Sequence, residues 1–246
     1  MSKFIRDRFE KNFGASDFDN LMCPYGCQKT LNIKFDMDYE CLASQEYNND
    51  NIDDDYYSEF VRILECTSCC RVICLTGVKV SSLVMCGVTG VEDEIVEFTI
   101  RSHDCSFLPI EISDKWPNAV AGEIKSSGNH LFSDREACMN NLRKAIECLV
   151  DEFKIPSTGT IKGKDVFISL HNRIDSLCTQ EKLSAPTKQL LTSVKWLGNK
   201  GSHSSSRIEK DDVLHAYDAL KNVLDEIYVT PTILANAQKI NTSKGN

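Results

Sequence analysis

Nowhere in this sequence do apolar residues run on for the roughly 18 positions that a membrane-crossing helix requires, so no membrane span is predicted. The opening MSKFIRDRFEKNF is charged and lacks the apolar centre of a secretory signal, which predicts a cytosolic protein. Positive charge is not in excess either. With 28 Lys and Arg against 36 Asp and Glu, the net charge of -8 excludes capture of nucleic acid by the whole surface. Also missing are a phosphate-binding glycine loop, a hydrolase nucleophile elbow, a readable Ser–His–Asp arrangement, and any HNH or carboxylate-metal nuclease motif. DNA cleavage by this chain alone is therefore not expected. There is no internal repeat.

Cysteine, by contrast, is plentiful. Twelve would suggest disulfides in a secreted chain, but beside cytosolic signals they read as metal ligands and buried thiols. Cys23 and Cys27 sit in MCPYGCQ, and Cys66 and Cys69 in ECTSCC. Two close pairs, each in a tight turn and separated by strands, bring four thiolates onto one tetrahedral zinc ion. Pro24 and Gly26 supply the geometry of the first turn, whose three intervening residues are one more than is usual. Cys70 and Cys74 are rivals for the fourth ligand position by proximity. Cys41, Cys86 and Cys105 read as small buried hydrophobes. Four sulfurs would close the coordination sphere and leave no place for a catalytic water, so the expected zinc is structural.

An apolar fraction of 41% permits a core in both halves of the chain. Residues 1–116 read as an antiparallel β module: a short amphipathic start and the polar stretch SDFDN, then LNIKF, FVRILEC, RVICL, SSLVMCGV and EIVEFTI. SQEYNNDNIDDDYY is polar and acidic and predicts a long exposed loop. Pro109 and Pro117 bracket a connector. From 117 to 230 the apolar period becomes helical. Ser133 with Glu136 makes a capping-box pattern ahead of a stripe of Cys138, Leu142, Ala145, Leu149 and Phe153. PSTGTIKGK predicts a loop. Further helices are expected through DVFISLHNRIDSLC (Phe167, Leu170, Ile174, Leu177), TKQLLTSVKWLGN and EKDDVLHAYDALKNVLDEIY. Residues 231–246 read as a flexible tail. The expected class is α+β: a zinc-ribbon-like β module, then an antiparallel four-helix bundle. Most of the acidity lies before Lys125, which leaves room for a local basic patch in the helical half.

The most distinctive string is Val194-Lys195-Trp196-Leu197-Gly198-Asn199-Lys200-Gly201-Ser202-His203. On a continuous helix Asn199 and His203 share a face, and Gly198 and Gly201 admit a close neighbour. The same string also suits a plain helix C-terminus, with His203 near the dipole. Arg143 and Glu147 are four apart, the spacing of an ordinary surface ion pair.

FLPIEISDKWP, NLRKAIECLVDEF, LHNRIDSL and VKWLGNKGSH, in that order, resemble the domain-of-unknown-function family 4145, whose members often carry a cysteine-paired ribbon in front. The resemblance implies a HEPN-like bundle, found in bacteria in or beside restriction and anti-phage systems and typically dimeric. Many such bundles are metal-independent ribonucleases, with an arginine four to six residues before a histidine. Here Gly198 stands five before His203, and the nearest upstream base, Lys195, is eight away. Only His203 fits the histidine and Asn199 its polar companion; Arg143 or Arg173 would have to supply the missing cation. The resemblance thus implies His203 as general base or acid, with Lys195, Arg143 or Arg173 stabilising phosphate charge. It leaves open an RNA-binding or RNA-cleaving defence effector, a non-catalytic module that docks onto a partner nuclease or sensor, and a structural dimer with an Asn–His cluster.

Overall fold

The structure, a computed structural model, describes residues 2–27, 29–50, 55–85, 92–161, 163–180, 183–202 and 207–244. Two compact units divide the chain: 3–107 with 131–133, and 108–130 with 134–246. The division falls at Phe107/Leu108, nine residues earlier than the connector prolines suggest, with a three-residue return of 131–133 to the first unit.

In the first unit a five-stranded antiparallel sheet runs in the order β1-β5-β4-β3-β2. The strands are β1 (Phe13–Gly14), β2 (Leu31–Tyr39), β3 (Asp55–Cys66), β4 (Val72–Met85) and β5 (Glu92–His103). RVICL and SSLVM, which read as separate runs, are one strand. In β3 alternate residues Ser58, Phe60, Arg62, Leu64 and Cys66 are buried, the period-two pattern of a strand with one covered face. On that face a 3-10 turn (Ala15–Asn20) sets Phe18 against Phe60 and Phe98, and Ile5 and Phe9 of α1 (Ser2–Glu10) are also buried. The stretch SDFDN is therefore folded around an aromatic anchor rather than left as a polar loop.

Phe18, Phe60 and Phe98 meet edge to face, with ring centroids 5.1–6.2 Å apart. Into this cluster β3 inserts Arg62, whose guanidinium lies 4.2 Å from the Phe18 centroid and 4.1 Å from that of Phe98. Asp36 on β2 meets it with two hydrogen bonds of 2.8 and 3.0 Å, so the buried charge is paired. Gly77 is required where β4 bulges: a Cβ there would stand 2.0 Å from the Thr99 carbonyl oxygen.

The expected acidic loop is corrected in part. Its first portion is a helix, α2 (Leu42–Asp50), while 51–54 lie outside the described residues. Its polar side chains bond to β3 instead of water. Ser44 donates to Glu59 at 2.7 Å, and the Asn48 amide brackets the backbone of Tyr57 at 2.8 and 2.9 Å.

The second unit is helical: α3 (Asn118–Ser127), α4 (Arg135–Glu152), α5 (Leu170–Thr179), α6 (Ala185–Ser202), α7 (Lys210–Leu224) and α8 (Thr230–Lys244). The four expected helices are present as α4 to α7, flanked by two more. α4 packs against α3, α5, α6 and α7. Its buried residues include Cys138, Leu142, Ala145 and Leu149, the stripe legible in the sequence, though Phe153 is only half-buried. Four local readings are corrected. Asp134, not Ser133, caps α4, accepting from the Ala137 N–H at 2.8 Å. PSTGTIKGK forms a hairpin with the residues that follow, β6 (Thr158–Ile161) with β7 (Lys164–Phe167), turning at Gly163 with φ +74°. Phe167 therefore ends a strand and is 78% exposed, and α5 starts after Ser169, whose hydroxyl accepts from Asn172 N–H. Finally, 230–244, where a flexible tail was expected from 231 on, is helical. A π turn (Asp225–Val229) leads straight into α8, widening the chain just ahead of Pro231, which has no N–H to give and whose ring needs room. Described side chains of α8 are exposed through residue 242. No described helix is long and apolar enough to cross a membrane.

Candidate functional site

In the first unit, the register of β2 on β3 sets the cysteine site. Leu31 pairs with Cys66, so the turn before β2 and the turn after β3 lie side by side. The first turn, Cys23 to Cys27, is closed by the Met22–Thr30 bridge and by Cys23 N–H bonding to the Lys29 carbonyl at 2.8 Å. Gly26 takes φ +88°, a left-handed conformation that lets the chain double back. The second turn ends in Cys70 at φ +57°, where a side chain carries the strain that glycine would avoid. Thr67 N–H bonds to the Thr30 carbonyl, tying one turn to the other. Arg71 adds a brace, its guanidinium 4.7 Å from the Tyr25 ring centroid. Nothing in residue spacing announces the Tyr25–Arg71 contact, because the two meet only through the strand register.

The sulfurs of Cys23, Cys27, Cys66 and Cys69 all lie within 4.8 Å of one another, and those of Cys23 and Cys69 are 3.8 Å apart. Tetrahedral zinc with bonds of about 2.3 Å would space its sulfurs at about 3.8 Å. Cys66 accepts N–H groups from Ser68 at 3.4 Å and Cys69 at 3.5 Å, which pulls its pKa down to about 6. The hydrogen bond with Cys69 and loss of solvation push Cys27 up to about 12, and burial raises Cys23. Four thiols so close cannot all ionise on their own; a divalent cation would remove that conflict. Four of the four expected ligands are thus close enough to hold a metal ion. Neither rival belongs to the cluster: Cys70 is exposed, and Cys74 sits along β4 with its N–H on Asp104. Cys105 is buried as expected. Cys41 is not apolar in its setting, donating its thiol to Glu59 at 2.9 Å, and Cys86 lies outside the described residues. The described cysteines are free thiols.

In the second unit the string around Lys195 lies on α6, which continues through Ser202, so Asn199 is inside a helix rather than at its end. Gly198 serves contact with α4: a Cβ there would stand 2.8 Å from Cβ of Arg143 and 3.2 Å from the Met139 carbonyl oxygen. This approach draws Arg143 and Lys195 together. Lys195 is only 8% exposed, its ammonium 3.4 Å from the Trp196 ring centroid. Desolvation, then the Arg143 charge, lowers its pKa. Arg143 pairs with Glu147 at 3.2 Å, both side chains partly exposed. Asn199 is half-buried, and His203 lies outside the described residues.

Arg173 is bound into the fold of the helical unit. It is buried, donates twice to the Ile155 carbonyl (2.6 and 3.2 Å) and pairs with Asp151, so it closes the C-terminal end of α4. Its Nε and Nη2 donors are engaged by Asp151 of α4 and by the Ile155 carbonyl just beyond that helix.

Residues 125–243 match the family model described as Domain of unknown function (DUF4145). This stretch of the chain belongs to the DUF4145 family. The DUF4145 segment begins in α3 and ends in α8; it contains Arg143, Glu147, Lys195 and Asn199, and the cysteine cluster lies ahead of it. Searches of curated proteins and of solved structures gave no match.

Proposed function

We propose that this chain is an RNA-binding protein of a bacterial anti-phage defence system, with a zinc-ribbon-type β unit and a HEPN-type helical unit that pairs as a homodimer. The association with defence comes from the family resemblance. What supports the RNA reading is Lys195: a side chain that is mostly buried, its charge partly desolvated and beside the Arg143 guanidinium, with no carboxylate against it among the described residues. Glu147 already meets Arg143 at 3.2 Å, so Lys195 is the cation left for an incoming anion, and a backbone phosphate is the anion RNA brings. Binding is favoured over cleavage. Arg173 and Arg143 are each paired with a carboxylate, Asp151 and Glu147, so a cleavage site centred on His203 would have only Lys195 of the three expected cations for the phosphate charge.

The zinc in this reading is structural. Cys23, Cys27, Cys66 and Cys69 are a donor set of the kind zinc takes, and four thiolates leave no open coordination position.

The test is fluorescence anisotropy of a labelled single-stranded RNA with the full chain and with Lys195→Met, which keeps the stem and removes the charge. Binding that falls at least tenfold in the variant, with a shallower salt dependence, is the expected result. If the unaltered chain binds no RNA at low salt, the docking module takes its place. That second reading is favoured by one feature of the sheet: on its edge strand β2, Phe35, Met37 and Tyr39 lie exposed, a row of large apolar side chains suited to a protein partner.

A further inference from the structure

Between α5 and α6 opens a cleft of about 540 Å³. His171 lines it from α5; Lys188, Gln189, Thr192, Ser193 and Trp196 line it from one face of α6. Its volume is within the range of about 300–1,000 Å³ that small organic ligands occupy. Trp196 is 57% exposed there, whereas the other tryptophan, Trp116, is buried with its N–H donated to Asp225 at 3.0 Å. The Lys195 ammonium lies over one face of the Trp196 ring, and the rest of the indole is left in water at the wall of the cleft. The His171 ring lies 6.4 Å from it, tilted by 45°. The polar groups are few and varied. Thr192 Oγ1 and His171 Nδ1 are shielded from solvent without a hydrogen-bond partner among the described residues, and the other His171 nitrogen lies 3.6 Å from Asp175. The amide of Gln189 offers a donor and an acceptor on one plane. Lys188, held by Asp175 at 2.8 Å, puts a cation at the same wall.

We propose that this cleft binds a single nucleobase, its ring stacked on Trp196, its edge met by Gln189 and Thr192, and its phosphate facing Lys188. A purely apolar ligand would leave the amide and hydroxyl unmet, and a compact anion would leave the indole bare. A base satisfies both, since every base has a flat π face and an edge carrying donors and acceptors. The base can come from a free nucleotide or from single-stranded RNA; the second source rests on the RNA-binding reading above, and the first does not.

The experiment uses the full chain and its own tryptophan emission, because Trp196 is exposed to a stacked base and Trp116 is not. AMP, UMP and the decamers rA10 and rU10 are titrated in turn, and binding of labelled decamer is followed separately by anisotropy. Expected are quenching by a nucleotide or decamer, its absence in Trp196→Phe, and affinity lowered roughly tenfold in Trp196→Phe and in Gln189→Ala at unchanged melting temperature. Decamer binding without quenching, at equal affinity in both variants, overturns the pocket while RNA binding stands. Quenching by AMP or UMP with no decamer binding supports the pocket and overturns the RNA reading. No quenching by any of the four overturns the pocket.

Discussion

Replacing Cys69 by serine should unfold the β unit, and the size of the effect can be worked from the site. Among the described residues the two cysteine turns are joined by the Thr67 N–H and hydroxyl, both donating to the Thr30 carbonyl, by the Tyr25–Arg71 contact, and by the four sulfurs themselves. The first two are worth about 1 kcal/mol each. A structural tetrathiolate zinc contributes an apparent 10–16 kcal/mol near neutral pH, as much as the entire stability of about 5–15 kcal/mol typical of a domain. Losing one sulfur should therefore exceed what the sheet core holds in reserve. Two comparison variants calibrate this. Cys105→Ser puts a hydroxyl into a buried site and should cost about 1–3 kcal/mol. Cys70→Gly, exposed and at φ +57°, should be neutral or stabilise by about 1 kcal/mol, because glycine relieves the left-handed strain. The assays are elemental analysis for zinc, expected at close to one per chain, and thermal unfolding with and without a chelator. A metal-free sample that melts at the same temperature as the zinc-loaded one would refute the reasoning. So would a Cys69→Ser chain no less stable than Cys105→Ser.

Four further outcomes are expected. Arg173→Met should destabilise the helical unit by roughly 2–3 kcal/mol in thermal melts, because the buried Ile155 carbonyl loses both donors. Gly198→Ala should destabilise despite a gain of about 1 kcal/mol in helix propensity, since the new methyl meets Arg143 Cβ and a carbonyl oxygen, and overpacking costs about 1–3 kcal/mol; a more stable variant would contradict the close approach of α4 and α6. Lys188→Met should change the melting temperature little at neutral pH, the pair with Asp175 being exposed to solvent. Lys188 holds the Asp175 pKa down and Asp175 holds that of Lys188 up, so the pair stabilises above the ordinary Asp range and below the ordinary Lys range; the difference between variant and unaltered chain, measured by melting against pH, should vanish in strong acid. Light scattering at micromolar concentration should return twice the chain mass, and a strictly monomeric chain would remove the homodimer.

The α+β class, the helices α4 to α7 and the DUF4145 resemblance were all legible because they rest on local order: period two in β3, period 3.6 in α4, short strings in sequence. The two cysteine pairs were legible for the same reason, each being confined to one turn. Where reading failed, a polar or aromatic residue had been assigned to water. Phe18 in SDFDN finds its partners in Phe60 and Phe98, far along the chain, and Ser44 and Asn48 in the acidic stretch bond to Glu59 and Tyr57 only because α2 folds back onto β3. The cap of α4 shifted by one residue because Ser133 and Asp134 are both good caps, and only the backbone angles choose between them.

The sequence by itself determined that two cysteine pairs would sit in turns and that Lys195, Trp196, Gly198 and Asn199 would share a helix, because turn and helix geometry are set by neighbours. Only the tertiary structure decided that the pairs meet, that Cys70 and Cys74 stay out, that Arg173 closes a helix while Arg143 stands by Lys195, and that Trp196 faces a cleft. Those outcomes depend on strand register and on helix–helix approach, where a slip of one residue in β2 or a methyl group at position 198 would send the same side chains elsewhere.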